Sequence, residues 1–429
     1  MRHNKEIIIP NITEFKTKLV SWAQQFEEIV WLDSNRRLQS HSSYDAVLAV
    51  DAFTGIQTDT LNGFKKLEEY QEVTKDWIFG YLSYDLKNDI EPLSSKNFDG
   101  LDFPDLYFFQ PKKLFLFKEN KLAIKYLNCV IDDVDSDLDT ISSFSTTVES
   151  EISNNIKIES RLTRDSYIEK VTTMLSKIQR GDIYEANFCQ EFYATAQIDP
   201  LKTYFSLNSI AQTPFATFLK NGSHFLMSSS PERYIKKEKS VITSQPIKGT
   251  TRRSDNTSED DDLKFVLKND QKERSENIMI VDLVRNDLSK IAKKGTVKVT
   301  KLCELHSFKQ VHHMISTVEA EVLPTVSPVG VISATFPMGS MTGAPKISAM
   351  MIIEVLEETK RGLYSGAVGY FTPNGDFDFN VVIRSILYNA SNSYVSFSVG
   401  SAITSKSTPQ REYEECLVKA KAMRSVLEN

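Results

Sequence analysis

Phe225-Leu-Met227, Tyr234-Ile235 and Ser240-Val-Ile-Thr243, followed by Gln245-Pro-Ile-Lys-Gly-Thr250, decide how this chain is read. Three short runs separated by turn residues, with Ser228-Ser-Ser-Pro-Glu232-Arg233 between the first two, predict successive strands. Pro246 fixes φ and is expected to end pairing, and Gly249 lets the backbone turn sharply or approach a ligand closely. Lys248 is therefore expected at the mouth of a sheet, with Glu232 in a turn at the same end. A lysine amine that is partly desolvated, or near another cation, becomes a nucleophile; one in open solvent is only a charge. The neighbouring motifs choose between these readings.

Working outward, 429 residues are ample for two domains or one large two-layer domain. With 41% hydrophobic and 25% charged residues, the composition is that of an ordinary globular protein. A formal net charge of −6, with no Lys/Arg stripe to override it, argues against nucleic-acid binding. Cys129, Cys189, Cys303 and Cys416 form no C-x-x-C pair, so neither a zinc ribbon nor a disulfide framework is expected. Met1 to Pro10 holds no apolar run of signal-peptide length and no stretch approaches a membrane span, so a cytoplasmic location without membrane association is expected.

Residues 1–131 mix strand-like runs (Ile29 to Leu32, Tyr44 to Phe53, Trp77 to Tyr84, Leu106 to Phe117) with helical spacing over Thr60 to Tyr70. Residues 132–159 are acidic and rich in Ser and Thr, and read as a linker before a core at 160–429. In that core, Ser166 to Arg180 and Lys272 to Leu288 have helical periodicity, and a last helix is expected over Glu412 to Leu427. Glu273 and Glu276 are three apart on one helix, and Glu412 and Glu415 repeat the spacing on the other. Each pair is by itself a solvated face, or in the last helix a complement to the N-terminal dipole; together they suggest a shared oxygen-only, Mg²⁺-like site.

Phe336-Pro-Met-Gly339-Ser340-Met341-Thr342-Gly343-Ala344-Pro345-Lys346, ahead of a helix from about Ile347 to Glu358, is either a structural turn or an anion site at a helix N-terminus. Leu363 to Phe371, Asp378 to Tyr388 and Tyr394 to Val399 read as three antiparallel strands, with Val382, Arg384 and Ile386 on one face of the middle one. An arginine between apolar neighbours either reaches water at a sheet edge or pairs with an anion, to which Tyr364 is expected to add a hydroxyl. Two prospective anion sites and one cation site point to a small dicarboxylate.

Ser230-Pro-Glu-Arg233, Pro246-Ile-Lys-Gly-Thr250, Glu276-Asn-Ile-Met-Ile-Val-Asp-Leu-Val-Arg-Asn-Asp287, Gly339-Ser-Met-Thr-Gly-Ala-Pro-Lys346 and Gly362-Leu-Tyr-Ser-Gly-Ala-Val-Gly-Tyr370 together resemble the chorismate-utilising enzymes, in that family's order. The resemblance covers about residues 160 to 429 strongly, and Trp77 to Asp85 resembles a segment of the family's N-terminal half. It implies an α+β fold of stacked antiparallel β-sheets flanked by helices, the α/β/β/α sandwich of anthranilate synthase component I. The strands and helices come from the sequence pattern; the layering comes from the resemblance.

Lysine at 248 looks like the aminodeoxychorismate synthase component I branch, where anthranilate synthases typically carry alanine. In the mechanism this implies, Mg²⁺ holds the ring carboxylate of chorismate, Lys248 attacks C2 and Glu232 protonates the departing C4 hydroxyl. Ammonia then attacks C4 and expels the lysine, giving 4-amino-4-deoxychorismate. By the same resemblance Glu276 and Glu415 ligate the metal, with Glu273 and Glu412 acting through water. Tyr364 and Arg384 take the enolpyruvyl carboxylate, Thr250, Ser340, Gly400 and Lys419 lie near the ring carboxylate, and His313 lies near the reacting carbon. Glu185 departs from the pattern: the water-using branch carries lysine there and the ammonia-using branch usually glutamine. No glutamine-hydrolysing cysteine motif is visible, so free ammonia or a separate glutaminase subunit is expected to supply nitrogen. The rival readings are anthranilate synthase component I, which eliminates pyruvate and leaves Lys248 a spectator, and a non-catalytic module that binds a small dicarboxylate.

Overall fold

The computed structural model describes residues 2–35, 41–144, 156–309 and 311–429. Among the described residues its frame is a network of twenty strands in which every ladder is antiparallel. Residues 224–230 pair on one side with 215–221 and on the other with 385–389, whereas 233–238 pair with 377–381 and with 241–245. Two adjacent strands, 224–238 and 377–389, therefore run side by side and change partners together, the first at Pro231-Glu232 and the second at Val382 to Arg384. Two hydrogen bonds pin this corner: Val381 N donates to Glu232 O at 3.0 Å, and Ser229 N to Arg384 O at 3.1 Å.

On one side of the corner lies a layer built from 28–33, 46–58, 185–195, 215–221, 224–230, 385–389 and 394–404, and on the other a layer from 78–82, 367–371, 377–381, 233–238, 241–245 and 311–321. Period two then sorts the side chains. Val30, Ala49, Leu219 and Leu226 of the first layer share a core with Ile235, Val368 and Phe379 of the second. Their sequence neighbours Ile29, Leu48, Phe218 and Met227 face the opposite way, onto Leu19, Val171, Met174, Leu207, Ala420 and Met423 of the outer helices. Ile280, Val284 and Leu288 of helix Gln271–Ser289 pack on the second layer. This is the expected α+β architecture, stacked antiparallel sheets with helices outside.

Three local expectations are corrected. Pro246 does not end pairing: strand Ile247–Arg252 follows at once and pairs with 311–321, because proline costs a ladder only its own donor. Asp378 to Tyr388 is two strands, Phe377–Val381 and Ser385–Asn389, so Val382, Arg384 and Ile386 do not share one strand face. Arg384 has φ +53°, and a left-handed residue breaks the alternation on which the period-two argument rests. The acidic stretch after residue 131 includes a helix, Asp133–Ser143, that buries Val134 and Ile141 and sets Asp137 2.6 Å from Lys113; the Ser/Thr-rich part at 145–155 lies outside the described residues. Among the described residues no helix is long and apolar enough to cross a membrane.

Candidate active site

Lys248 lies in a bulge of strand Ile247–Arg252, where the register against 311–321 slips between Ile247 and Thr250. Gly249 makes the bulge possible: its φ is +96°, and a Cβ there would meet Met314 Cβ at 3.2 Å and Glu273 Oε2 at 3.3 Å. Asn277 fixes the bulge from behind, its Nδ2 donating to Lys248 O at 3.1 Å and to Met314 O at 3.2 Å. The lysine side chain then lies among carboxylates, with Nζ 3.2 Å from Glu185 Oε1 and 3.6 Å from Glu276 Oε2. Burial pulls the amine's pKa down, but Glu185 and then Glu276 outweigh it and hold the ammonium form well above the usual lysine range.

Glu232 sits at the corner between the layers, buried, and its carboxyl is pushed up to about 7. Burial is the cause, only partly offset by a hydrogen bond with Ser340 and by the Lys248 charge. A carboxylic acid that keeps its proton near neutrality is what a general acid requires. Ser340, in the short turn Gly339–Met341, is thereby at Glu232, and its carbonyl accepts from Asn187 Nδ2 at 3.0 Å. Thr250 Oγ1 and His313 Nδ1 are 2.8 Å apart on paired strands. Burial, followed by the Arg384 charge, lowers His313 to about 3, so its imidazole is neutral at neutral pH. His312, facing the other way, is engaged by Asp260 at 2.9 Å and Ser307 at 2.8 Å.

Arg384 makes no side-chain hydrogen bond or ion pair among the described residues, and burial lowers its pKa. A guanidinium held in this way calls for an anion. Tyr364 and Glu415 are the groups whose charge it feels. Tyr364 lies in the turn ahead of strand Ala367–Phe371, and its hydroxyl is 3.8 Å from Cys189 Sγ. Lys419, on helix Pro409–Glu428, donates to Gly400 O at 2.8 Å and pairs with Glu415 at 2.6 Å. A Cβ at Gly400 would stand 2.5 Å from Asn187 Oδ1 and from Cys189 Sγ, so a larger residue there would displace both side chains.

Glu273 and Glu276 face Lys248 from helix Gln271–Ser289, and Glu412 and Glu415 approach from the last helix. Burial first, then the charge of Glu276, raises Glu273; burial likewise raises Glu276. Glu276 Oε1 is buried without a hydrogen bond among the described residues, and Lys272 stands 3.7 Å from it. An all-oxygen donor set with one unpaired buried oxygen fits a hard divalent cation in chemistry. In spacing, no group of three or more His, Cys, Asp or Glu among the described residues is drawn together enough to enclose an ion, and lysines stand as the countercharges.

All thirteen residues singled out in the sequence thus reach one region around the corner and the lysine bulge. Two residues of consequence were not among them. Asn277 was legible only as the neighbour of Glu276 on a buried helix face. Arg361, whose guanidinium donates to Met341 O, Asn187 O and Glu357 and so ties the 339–344 segment to strand Glu185–Thr195, carried no sequence signal beyond its charge. The helix N-terminus after Pro345 uses its lysine structurally: Lys346 Nζ is 2.5 Å from Asp287 and donates to Thr335 O and Pro337 O.

A probable aminodeoxychorismate synthase, chloroplastic, from Oryza sativa subsp. japonica is 39% identical over 293 residues, which are 67% of this chain and 32% of that protein, so the chain spans about a third of this relative's length. Anthranilate synthase component 1 of Saccharolobus solfataricus is 32% identical over 370 residues, covering 86% of this chain and 85% of that protein. The crystal structure of anthranilate synthase component I from Streptococcus pneumoniae TIGR4 superposes with a TM-score of 0.77 at 26% identity, covering 90% of this chain and 93% of that one. The family described as chorismate binding enzyme matches residues 22–425, so the corner, the lysine bulge and all four helix glutamates lie within the match, and the chain belongs to that family.

Proposed function

We propose that this chain aminates chorismate with ammonia to give 4-amino-4-deoxychorismate. The observation that carries the reading is Lys248 itself, presented by a bulge, half-buried, and 3.2 Å and 3.6 Å from two carboxylates. Glu232, whose carboxyl is raised to about 7, supports the accompanying acid step.

In this reading Arg384 and Tyr364 bind the enolpyruvyl carboxylate, and Thr250, Ser340, Lys419 and the Gly400 backbone line the ring-carboxylate side. Glu276 and Glu415 would hold Mg²⁺, with Glu273 and Glu412 acting through water; when bound, the ion would supply positive charge for the ring carboxylate. Lys248 has to pass a proton to solvent before it attacks, and Glu276 is one of the carboxylates, after Glu185, that keep it protonated. Engaging Glu276 elsewhere would weaken that hold and ease release of the proton. The amine forms a bond to C2, the two conjugated ring double bonds shift toward C4, and the C4 hydroxyl leaves as water with the proton of Glu232. Ammonia then bonds to C4, both double bonds shift back, and the C2–N bond breaks with its electron pair going back to Lys248. Neutral His313 offers a hydrogen bond near the reacting carbon without adding charge. Nitrogen would come from free ammonia or a separate glutaminase subunit, in the cytoplasm.

The second reading, anthranilate synthase component I, is favoured by the 32% identity to a protein of that name. Product analysis separates the two. Incubated with chorismate, Mg²⁺ and ammonium, the wild type is expected to give aminodeoxychorismate by mass spectrometry, and Lys248→Ala at least about a hundredfold less. Anthranilate from both proteins would move the assignment to the second reading and make Lys248 a bystander.

A further inference from the structure

The Asn277 amide behind the lysine bulge spends all of its hydrogen-bonding capacity inside the protein. Ile247 stands opposite Ile315 and Thr250 opposite His313, so Lys248 and Gly249 together face Met314, and the amide bridges the two strands at that point. It is 1% exposed. Lys248 O and Met314 O can only accept, so the atom facing them is the NH₂. Oδ1 then lies on the other side, where it accepts from the Ser316 hydroxyl and, at 3.6 Å, from the Cys303 thiol. Ser316 is fixed in turn, since its Oγ accepts from Cys303 N at 2.9 Å. An amide with both protons and both lone pairs engaged has one orientation.

The same two residues hold the stretch that meets the acid. Ser316 N donates to Pro246 O at 3.2 Å while Asn277 holds Lys248 O, so residues 246–248 are pinned at both ends. Between the pins, Ile247 N donates to the Glu232 carboxyl. This short stretch therefore carries the nucleophile at one end and binds the acid at its middle. In the amination above, the amine bonds to C2 while the acid protonates the hydroxyl on C4 of the same ring. The two groups have to stand at one separation, and a misplacement of about 1 Å costs on the order of a hundredfold in rate. We propose that Asn277, oriented by Ser316, is the positioning residue that sets the separation of Lys248 and Glu232. It acts through the backbone of residues 246–248, and no bond is made or broken at the amide. The assignment rests on the amination reading.

The test is Asn277→Ala, with Ser316→Ala beside it, assayed in the full chain with Mg²⁺, chorismate and ammonium. The expected kcat is about thirtyfold or more below wild type in Asn277→Ala and about three- to tenfold below it in Ser316→Ala, where the amide is present but free to turn. In both, the KM for chorismate and the Mg²⁺ concentration for half-maximal rate should stay within about twofold, which reports that the fold and the helix carrying Glu276 are intact. The double variant should lie within about twofold of Asn277→Ala alone, because the hydroxyl acts through the amide. Should Asn277→Ala fail to fold, Ser316→Ala decides by the same split between kcat and KM. Unchanged kcat overturns the proposal, and so do kcat, KM and Mg²⁺ requirement moving together, the pattern of a merely structural role. The amination reading is judged separately, on the wild type and Lys248→Ala. Anthranilate from both removes the nucleophile that Asn277 would hold, and both ideas fall; aminodeoxychorismate that depends on Lys248, with wild-type kcat in Asn277→Ala, strikes the positioning role alone.

Discussion

Glu232 is buried where two strands change layers, and its carboxyl is held at about 7 against an ordinary 4.5. Since the folded protein binds this proton more tightly than the unfolded chain, the associated stability is fully present below pH 4.5 and is lost as pH rises through about 7. At about 1.4 kcal/mol per tenfold change in acidity, the loss amounts to about 3 kcal/mol. Glu232→Gln removes the titration. Urea unfolding should therefore find the variant gaining on the wild type by up to about 3 kcal/mol between pH 5 and pH 8, while its turnover falls about a hundredfold or more. An equal stability difference at both pH values would contradict the assignment of a neutral acid. The type of residue was legible in the sequence, as a carboxylate in a turn ahead of Lys248. Its proton was not, because burial at a corner depends on packing from strands about 150 residues apart.

At the scale of the element, what presents the chemistry is irregularity in strands. The bulge at Lys248, in the second layer, and the left-handed Arg384, at the corner, both depart from the pleat. Gly249→Ala tests the first. An alanine Cβ at φ +96° and 3.2 Å from Met314 Cβ should cost about 1–2 kcal/mol in denaturant unfolding, and kcat should fall further than stability does, because the bulge carrying the lysine shifts. Wild-type kcat in that variant would contradict the account. The glycine and the lysine are legible in the sequence from their order. Asp378 to Tyr388 reads there as one strand, because alternating apolar residues look alike on either side of a layer change. The carboxylate pairs on the two helices were legible for the opposite reason: i and i+3 share a helix face whatever the helix packs against.

For the whole molecule, the site is a product of the layering. Glu185 and Gly400 belong to the first layer, Lys248 and His313 to the second, Glu232 and Arg384 to the corner that joins them, and the four glutamates to helices outside. No single stretch of chain contains it. The sequence displayed the strands, the helices and the functional side chains, but which faces meet is set by pairings such as 78–82 with 367–371, far apart along the chain and without a local signature. The central claim is that this assembly turns Lys248 into a nucleophile. The direct measurement is intact-protein and peptide mass spectrometry after incubation with chorismate and Mg²⁺ in the absence of ammonium. The account predicts an adduct of chorismate less water on the peptide containing Lys248, discharged when ammonium is added and absent in Lys248→Ala. Product formation on adding ammonium, with no adduct on Lys248 at any time before it, would contradict the account.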